Sequence, residues 1–142
     1  MFEKILIANR GEIAVRIIRA CKELNIKTVA IHSDVDSDAM HVRLADESIC
    51  VGSALPNNSY LNIPNIVSAI EITGADAVHP GYGFLSENDK FADILTKHDV
   101  KFIGPSSKSI LELGNKSNAL KLANKHSLPI SGNEDAKNIN TT

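Results

Sequence analysis

KILIANRGEIAVRIIRACKEL, residues 4–24, predicts a buried strand, a tight turn and an amphipathic helix. The unbroken apolar run at residues 5–8 suits a strand that is covered on both faces, as in a parallel sheet. The Asn-Arg-Gly of residues 9–11 then interrupts the run with residue types that tolerate unusual backbone angles. Apolar residues recur at helical spacing after it, and the predicted apolar face consists of Ile13, Ala14, Ile17, Ile18, Cys21 and Leu24. This order of elements predicts a doubly wound α/β domain.

The rest of the chain continues the alternation of strands and helices. Predicted strands cover residues 27–31, 47–51, 76–79 and 100–103. Predicted helices cover residues 63–73, which Gly74 ends, residues 87–98 behind a Ser86–Asp89 capping box, a stretch through residue 113 that Ser106 or Ser107 can cap, and residues from about 116 to 125. The fold class is therefore α/β, a three-layer, Rossmann-like, mostly parallel sheet with helices on both faces. The polar residues from Pro129 onward predict a frayed tail.

Composition and charge argue against several classes of protein. The net charge of −2, from 15 basic and 17 acidic residues among 142, gives no reason to expect nucleic acid or a membrane surface as a partner. The sequence has neither the features of a signal peptide nor an apolar stretch long enough to span a bilayer, so we expect a cytoplasmic protein. Cys21 and Cys50 are predicted to be buried, reduced thiols.

Two predicted loops lie at the carboxyl edge of the sheet, where open parallel sheets bind ligands. The loop at residues 9–11 lacks the glycines of a dinucleotide fingerprint, which argues against a nicotinamide enzyme. In the loop at residues 79–84, HPGYGF, Gly81 and Gly83 flank Tyr82, so the backbone can approach another surface while the ring stays at the rim. Two interpretations stay open: a ligand-facing loop, or a glycine turn in which Tyr82 packs on a neighbouring helix. His79 is either a base or a structural hydrogen-bonding group.

Charged side chains on two helices also have two interpretations each. Arg16, Arg19 and Glu23 share a stripe on the first helix that forms either a solvated face or a polar interface. Lys116 begins the last helix, where it either contacts a phosphate or faces solvent. The histidines show no metal-ligand spacing with any cysteine or acid, so no metal site is predicted.

Six segments together suggest a family: KILIANRGEIAVRIIRACKEL, ADESICVG, SYLNIP, HPGYGFLSEN, FIGPSS and GNKSNA. In this order and at this spacing they resemble the N-terminal region of biotin carboxylase, the ATP-dependent component of acetyl-CoA carboxylase and related biotin-dependent carboxylases. The resemblance runs from about residue 1 to residue 128. It implies a pre-ATP-grasp domain at residues 1–114 and the start of the ATP-grasp region at residues 115–142, truncated before the lid.

The resemblance also implies an activity for the complete enzyme. Enzymes of this family use MgATP and bicarbonate to make carboxyphosphate and then carboxylate biotin on a carrier protein. This is the first half-reaction of the acyl-CoA carboxylases. When the acceptor is acetyl-CoA, the complete reaction serves fatty acid synthesis. The implied partners are the biotin carboxyl carrier protein, the carboxyltransferase and a second copy in a homodimer. Because the chain ends at Thr142, before the lid loop, the metal-binding acids and the bicarbonate-activating arginines of the family, we expect this piece alone to be an inactive monomer. It would hold no catalytic residue and no tightly bound ATP, Mg²⁺ or biotin.

By the same resemblance, five residues receive roles. Lys116 would contact the nucleotide phosphates, although its segment has Asn115 where the family has Asp. Tyr82 and Gly83 would line the biotin side of the cleft, and Arg19 and Glu23 would belong to the homodimer interface. Two alternatives stay open: a stand-alone nucleotide-binding or regulatory module, and a fragment of another ATP-grasp ligase such as a carbamoyl-phosphate synthetase relative. The acyl specificity of the parent enzyme is not predicted, because it resides on another component.

Overall fold

The computed structural model describes residues 1–127, and these form a five-stranded sheet flanked by helices. The strands are β1 (Lys4–Ile7), β2 (Lys27–Ser33), β3 (Glu47–Gly52), β4 (Ala77–His79) and β5 (Lys101–Phe102). The helices are α1 (Gly11–Glu23), α2 (Met40–Leu44), α3 (Ile63–Thr73), α4 (Asp89–Lys97), α5 (Ser107–Gly114) and α6 (Lys116–Lys125), with 3₁₀ turns at Asp34–Asp36 and Pro56–Asn58. The predicted frayed tail lies outside the described residues.

The strand order is β3-β2-β1-β4-β5, and every neighbouring pair is parallel. The chain builds outward from β1 to β3 and then returns to place β4 on the other side of β1. This reversal of direction is a topological switch point, and it lies between the carboxyl ends of β1 and β4. The predicted Rossmann-like α/β fold is confirmed, and the sheet is parallel throughout.

Each face of the sheet carries its own hydrophobic cluster, which gives the three layers. The side chains of β1 and of the residue after it alternate between the two faces. Leu6 and Ala8 belong to the larger cluster, with residues of α3, α4 and α5, whereas Ile5 and Ile7 belong to the smaller one, beneath α1. An apolar strand that packs on both faces is what the run at residues 5–8 predicts.

Three burial predictions from the sequence are wrong in part. Leu24 is 61% exposed, because α1 ends at Glu23 and Leu24 lies beyond its last turn. Ile17 is only partly buried at the margin of the smaller cluster, whereas Val15, which was not placed on the apolar face, is buried. Cys50 is exposed rather than buried, because β3 is an edge strand that neighbouring elements cover incompletely, whereas Cys21 is buried as predicted. Both thiols are free.

The capping of α4 also differs from the sequence prediction. Ser86 closes a turn by donating its N–H to Gly83 O at 2.9 Å, so it lies outside the helix. The cap is Asn88, whose side-chain oxygen accepts a hydrogen bond from Phe91 N at 2.8 Å, and the helix begins at Asp89. By contrast, α3 ends at Gly74 as predicted, and Ser106 caps α5 by accepting from Ser109 N at 3.1 Å.

The chain divides into two compact units. The first, residues 1–110, contains the whole sheet, and the second begins at Leu111 and contains α6. The boundary between residues 114 and 115 that the resemblance implies stays a prediction. Among residues 1–127, none of the helices has the length and apolar character required to cross a bilayer.

Candidate functional site

Two loops meet at the carboxyl edge of the sheet, one on each side of the switch point. Residues 9–11 follow β1, and residues 80–84 follow β4. Ile7 and His79 are paired residues of these strands, and Ala8 N donates a hydrogen bond to His79 O at 2.9 Å, so the two loops begin side by side. Because open α/β sheets bind ligands at the switch point, this pair of loops is the candidate site.

The Asn9 side chain joins the two loops. It is 1% exposed, and its Nδ2 donates to Pro80 O at 2.7 Å and to Tyr82 O at 2.9 Å. Its Oδ1 accepts from Arg10 N at 2.9 Å. Both amide hydrogens and the carbonyl oxygen of a buried side chain are therefore satisfied by main-chain groups, as burial of a polar group requires.

The second loop passes so close to Asn9 that it requires a glycine at position 81. Gly81 has φ of +64°, and a Cβ there would lie 2.7 Å from Ile13 Cγ2 and 2.8 Å from Asn9 Nδ2. Gly83 also has a positive φ, +73°, but nothing lies within 4 Å of the position its Cβ would take. Position 81 is therefore restricted by contact and by backbone angle, and position 83 by backbone angle alone.

Tyr82 extends from this loop into solvent. Its exposed fraction is 67%, so the interpretation in which the ring packs on a neighbouring helix does not describe the structure. His79 supports the loop from the strand end: its Nδ1 accepts a hydrogen bond from Gly81 N at 3.0 Å, and burial lowers its pKa. This agrees with the structural interpretation of His79. The ligand that Tyr82 and Gly83 would contact stays a prediction.

The far end of the loop is held by Arg10, which follows Asn9. The Arg10 guanidinium carbon lies 5.3 Å from the ring centroid of Tyr60 and 5.8 Å from that of Phe84. These two rings stack on each other, with centroids 5.2 Å apart. Cation–π contacts of this kind add stability on top of the buried ring area. Adjacent residues of the first loop thus hold both ends of the second.

Beneath Arg10 lies a carboxylate, Asp36, that the sequence analysis did not single out. Its Oδ2 accepts hydrogen bonds from the Tyr60 hydroxyl at 2.5 Å and from Ser33 Oγ at 3.0 Å, and it lies 3.3 Å from Arg10 Nη1. The Tyr60 hydrogen bond is the main cause that lowers the pKa of Asp36. Burial, together with the bond to Asp36, raises the pKa of Tyr60 to about 12. The cluster is thus a fixed anionic centre that orients Arg10.

Comparison with known proteins gives this domain a family. Residues 1–110 match the family model described as the biotin carboxylase N-terminal domain. The chain belongs to this family. Among relatives of this biotin carboxylase N-terminal domain, the mitochondrial propionyl-CoA carboxylase alpha chain of Caenorhabditis briggsae is 62% identical over 122 residues, 86% of this chain and 16% of that protein. The biotin carboxylase of Haemophilus influenzae is 58% identical over 129 residues, 91% of this chain and 29% of that protein.

A solved structure shares both fold and sequence with this biotin carboxylase N-terminal domain. It is the biotin carboxylase domain dimer of Hydrogenobacter thermophilus 2-oxoglutarate carboxylase, in complex with MgADP, ADP and bicarbonate, with a TM-score of 0.87 and 47% identity. The match covers 91% of this chain and 28% of that one. The chain therefore spans less than a third of the length of the relatives it matches, and the resemblance carried by the six segments is confirmed at the level of the family.

The other predicted site residues lie away from the Tyr82 loop or in the second unit. Arg19 and Glu23 are exposed on the last turns of α1, toward the amino edge of the sheet. At that edge β1 and β2 begin side by side, and Lys27 N donates a hydrogen bond to Glu3 O at 3.0 Å. Lys116 is the exposed first residue of α6 in the second unit.

The helix that Lys116 begins is capped despite the departure from the family at position 115. Asn115 Oδ1 accepts hydrogen bonds from Ser117 N at 2.9 Å and from Asn118 N at 3.4 Å. Asparagine is as good an N-cap as aspartate. Within the described part of the chain, no group of three or more His, Cys, Asp or Glu side chains is placed to hold a metal ion.

Proposed function

We propose that this chain forms the N-terminal part of a biotin carboxylase, an enzyme that uses MgATP and bicarbonate to carboxylate biotin on a carrier protein. The observation that carries the proposal is the family match over residues 1–110. The Hydrogenobacter relative, whose structure contains MgADP, ADP and bicarbonate, supports a nucleotide and bicarbonate as ligands of the whole enzyme. Membership in this family favours that function over a stand-alone regulatory module or a carbamoyl-phosphate synthetase fragment.

Within this function, Tyr82 and Gly83 line the biotin side of the cleft. Three features support that role. The loop lies at the switch point of the sheet, the Tyr82 ring is exposed, and Gly83 presents its backbone without a side chain in the way. Because Asn9 and Arg10 hold the ends of the loop, its rim is already shaped before a ligand binds, which reduces the entropy lost on binding.

Lys116 is the residue we assign to the nucleotide phosphates. It is an exposed cation at the first turn of a ten-residue helix, where the helix dipole also favours anions. The family resemblance assigns the metal-binding acids to the part of the enzyme beyond the residues of this chain, so we infer that the Mg²⁺ that activates ATP is held there. This domain would therefore contribute contacts to ATP and biotin rather than bond-making groups.

The partners and location belong to the same proposal. The enzyme would act with a biotin carboxyl carrier protein and a carboxyltransferase, and it would form a homodimer to which Arg19 and Glu23 contribute. We also propose a cytoplasmic location, which is the expectation from the sequence. Acetyl-CoA is one of several acceptors that fit, since the relatives include a propionyl-CoA carboxylase and a 2-oxoglutarate carboxylase.

A chimera tests the function. Residues 1–127 would replace the matching segment of the Haemophilus influenzae biotin carboxylase, and biotin- and bicarbonate-dependent release of phosphate from MgATP would be measured. We expect turnover comparable to the parent. Tyr82→Ala should raise the KM for biotin, with Ile72→Ala on the exposed side of α3 as control, and Lys116→Ala should raise the KM for ATP more than Lys125→Ala. A folded chimera without activity contradicts the proposal.

A further inference from the structure

We propose that Asn9 is a positioning residue for the biotin-binding loop: it sets the orientation of the Tyr82–Gly83 peptide without touching the ligand. This inference rests on the function proposed above, because it assigns Tyr82 and Gly83 to biotin. Asn9 belongs to the Asn-Arg-Gly turn of residues 9–11, which lacks the glycines of a dinucleotide fingerprint. Neither feature gives the Asn9 side chain a role.

The Asn9 side chain matches its hydrogen-bond partners group for group. Asn9 Nδ2 donates one N–H to Pro80 O and the other to Tyr82 O, while Oδ1 accepts a hydrogen bond from the main-chain N–H of Arg10. A primary amide supplies two donors and an acceptor on a short stem, and among side chains only Gln shares that set, on a stem one methylene longer. Asp has the same size but no donor. The position therefore requires Asn.

The hydrogen bond to Tyr82 O also orients the peptide group between Tyr82 and Gly83. The Tyr82 carbonyl and the Gly83 N–H belong to one planar unit, and the described residues contain no cis peptide bond. In a trans peptide the C=O and N–H point in opposite directions. Because the Tyr82 carbonyl is directed at the Asn9 amide, the Gly83 N–H is directed away from it. Asn9 thus determines which way a main-chain donor of the loop faces.

Asn9 is itself held by the sheet. It lies two residues beyond the end of β1, the central strand, and the residue between them, Ala8, donates its N–H to His79 O. Gly81 packs against the Asn9 amide with no room for a Cβ, so the loop cannot shift toward Asn9. The carbonyl of Tyr82 is fixed to the sheet while its ring remains in solvent. Such an arrangement restrains the backbone of a binding loop and leaves the contacting groups free.

The test is Asn9→Asp, which keeps the size of the side chain but turns its donors into an oxygen facing two carbonyl oxygens. The matched control is Asn65→Asp, because Asn65 Nδ2 donates to the main-chain Val51 O at 2.8 Å beside the edge strand. Each variant would be made in the chimera and in the 142-residue chain. Asn9→Ala, which removes the donors without adding repulsion, serves if Asn9→Asp fails to fold.

In the chimera, we expect Asn9→Asp to raise the KM for biotin about tenfold, equivalent to about 1.4 kcal/mol of binding, and to leave the KM for ATP unchanged. In the 142-residue chain, amide hydrogen exchange at residues 81–84 should accelerate, and Asn65→Asp should change neither reading. An unchanged KM for biotin in an active Asn9 variant overturns the inference, as does an equal effect of Asn65→Asp. If the unsubstituted chimera is inactive, the proposed function fails, and unchanged amide exchange in the Asn9 variant would separately overturn the positioning role.

Discussion

The hydroxyl of Tyr60 donates a hydrogen bond to Asp36 at 2.5 Å and accepts one from the main-chain N–H of Ser33 at 3.1 Å. Tyr60→Phe keeps the buried ring that stacks on Phe84 but leaves the Ser33 N–H without its partner. An unsatisfied buried donor costs about 1–3 kcal/mol, so we expect the free energy of unfolding in urea to fall by about that amount. Tyr82→Phe, which removes a hydroxyl from an exposed ring, is the control and should cost less than about 0.5 kcal/mol. Equal losses would contradict the buried role of the Tyr60 hydroxyl.

Asp46 predicts a pH dependence of stability. Its carboxylate accepts hydrogen bonds from Lys27 Nζ at 3.0 Å and from Thr28 N and Oγ1, each at 2.9 Å. With the Lys27 bond as the largest cause, the pKa of Asp46 falls from 3.8 to about 2. Because the folded value lies below the unfolded one, this stabilisation is present above about pH 4 and is lost as the pH falls toward about 2.

The size of that contribution follows from the shift. Such a shift corresponds to about 2 kcal/mol, and since the carboxylate is partly exposed we expect solvent screening to reduce it to about 1 kcal/mol. Urea unfolding of Asp46→Asn at about pH 6 and about pH 3 should show a smaller difference between the two conditions than the unsubstituted chain shows. Asp38→Asn, which changes an exposed carboxylate, should keep the original difference. A pH dependence in Asp46→Asn as steep as in the unsubstituted chain would exclude this origin.

Ile17 and Ile18 are adjacent apolar residues of α1 that differ in burial. Ile18 is fully buried in the smaller cluster, while Ile17 lies partly exposed at its margin. Ile18→Ala should therefore cost about 2–5 kcal/mol, the range of a core truncation. Ile17→Ala, for which the helical pattern alone predicts the same cost, should cost clearly less. Urea unfolding of both variants decides the register of the helix, and a larger loss for Ile17→Ala would show that the helix is rotated.

The first strand and the first helix show how far the sequence predicts the fold. The apolar run of residues 5–8 and the spacing in α1 predict the first strand and helix, because burial repeats with the period of each element. The same patterns do not report where an element ends or how completely its neighbours cover it. Leu24 is exposed because the helix has already ended, and Cys50 because β3 lies at the edge of the sheet. The first error concerns the end of a helix, and the second concerns how completely neighbouring elements cover a strand.

The candidate site was predictable only in part. The sequence placed Tyr82 and Gly83 at a sheet edge, because turn residues after a strand mark a loop. It did not find the contacts that hold the loop, since Asn9 reaches partners that are 71 and 73 residues away in the sequence. Tyr60 and Asp36 were likewise missed, because each lies in a separate connection between strands. No periodicity within one element connects such residues.

Gly81 and Gly83 provide a test of the loop geometry. Both have positive φ, so either substitution by alanine carries the backbone strain of a residue forced into that region, about 1–3 kcal/mol. Only at position 81 would the new Cβ also meet other atoms, Ile13 Cγ2 at 2.7 Å and Asn9 Nδ2 at 2.8 Å. We therefore expect Gly81→Ala to lower the free energy of unfolding more than Gly83→Ala does. Equal losses would mean that the loop is not packed against Asn9.

The last prediction concerns Arg19 and Glu23, to which the family resemblance assigns a homodimer contact. Both are exposed at the end of α1, and a relative forms a dimer of its biotin carboxylase domains, although this chain covers only 28% of that protein. A stable interface usually buries about 1,200–2,000 Å². A single helical surface contributes a fraction of that area, and exposed ion pairs add only about 0–1 kcal/mol each, which salt screens further. We therefore expect the 142-residue chain to sediment as a monomer at micromolar concentration and moderate salt, both as it stands and as Arg19→Glu. A dimer that dissociates on Arg19→Glu but persists in the control Arg43→Glu would show that α1 associates without the rest of the enzyme.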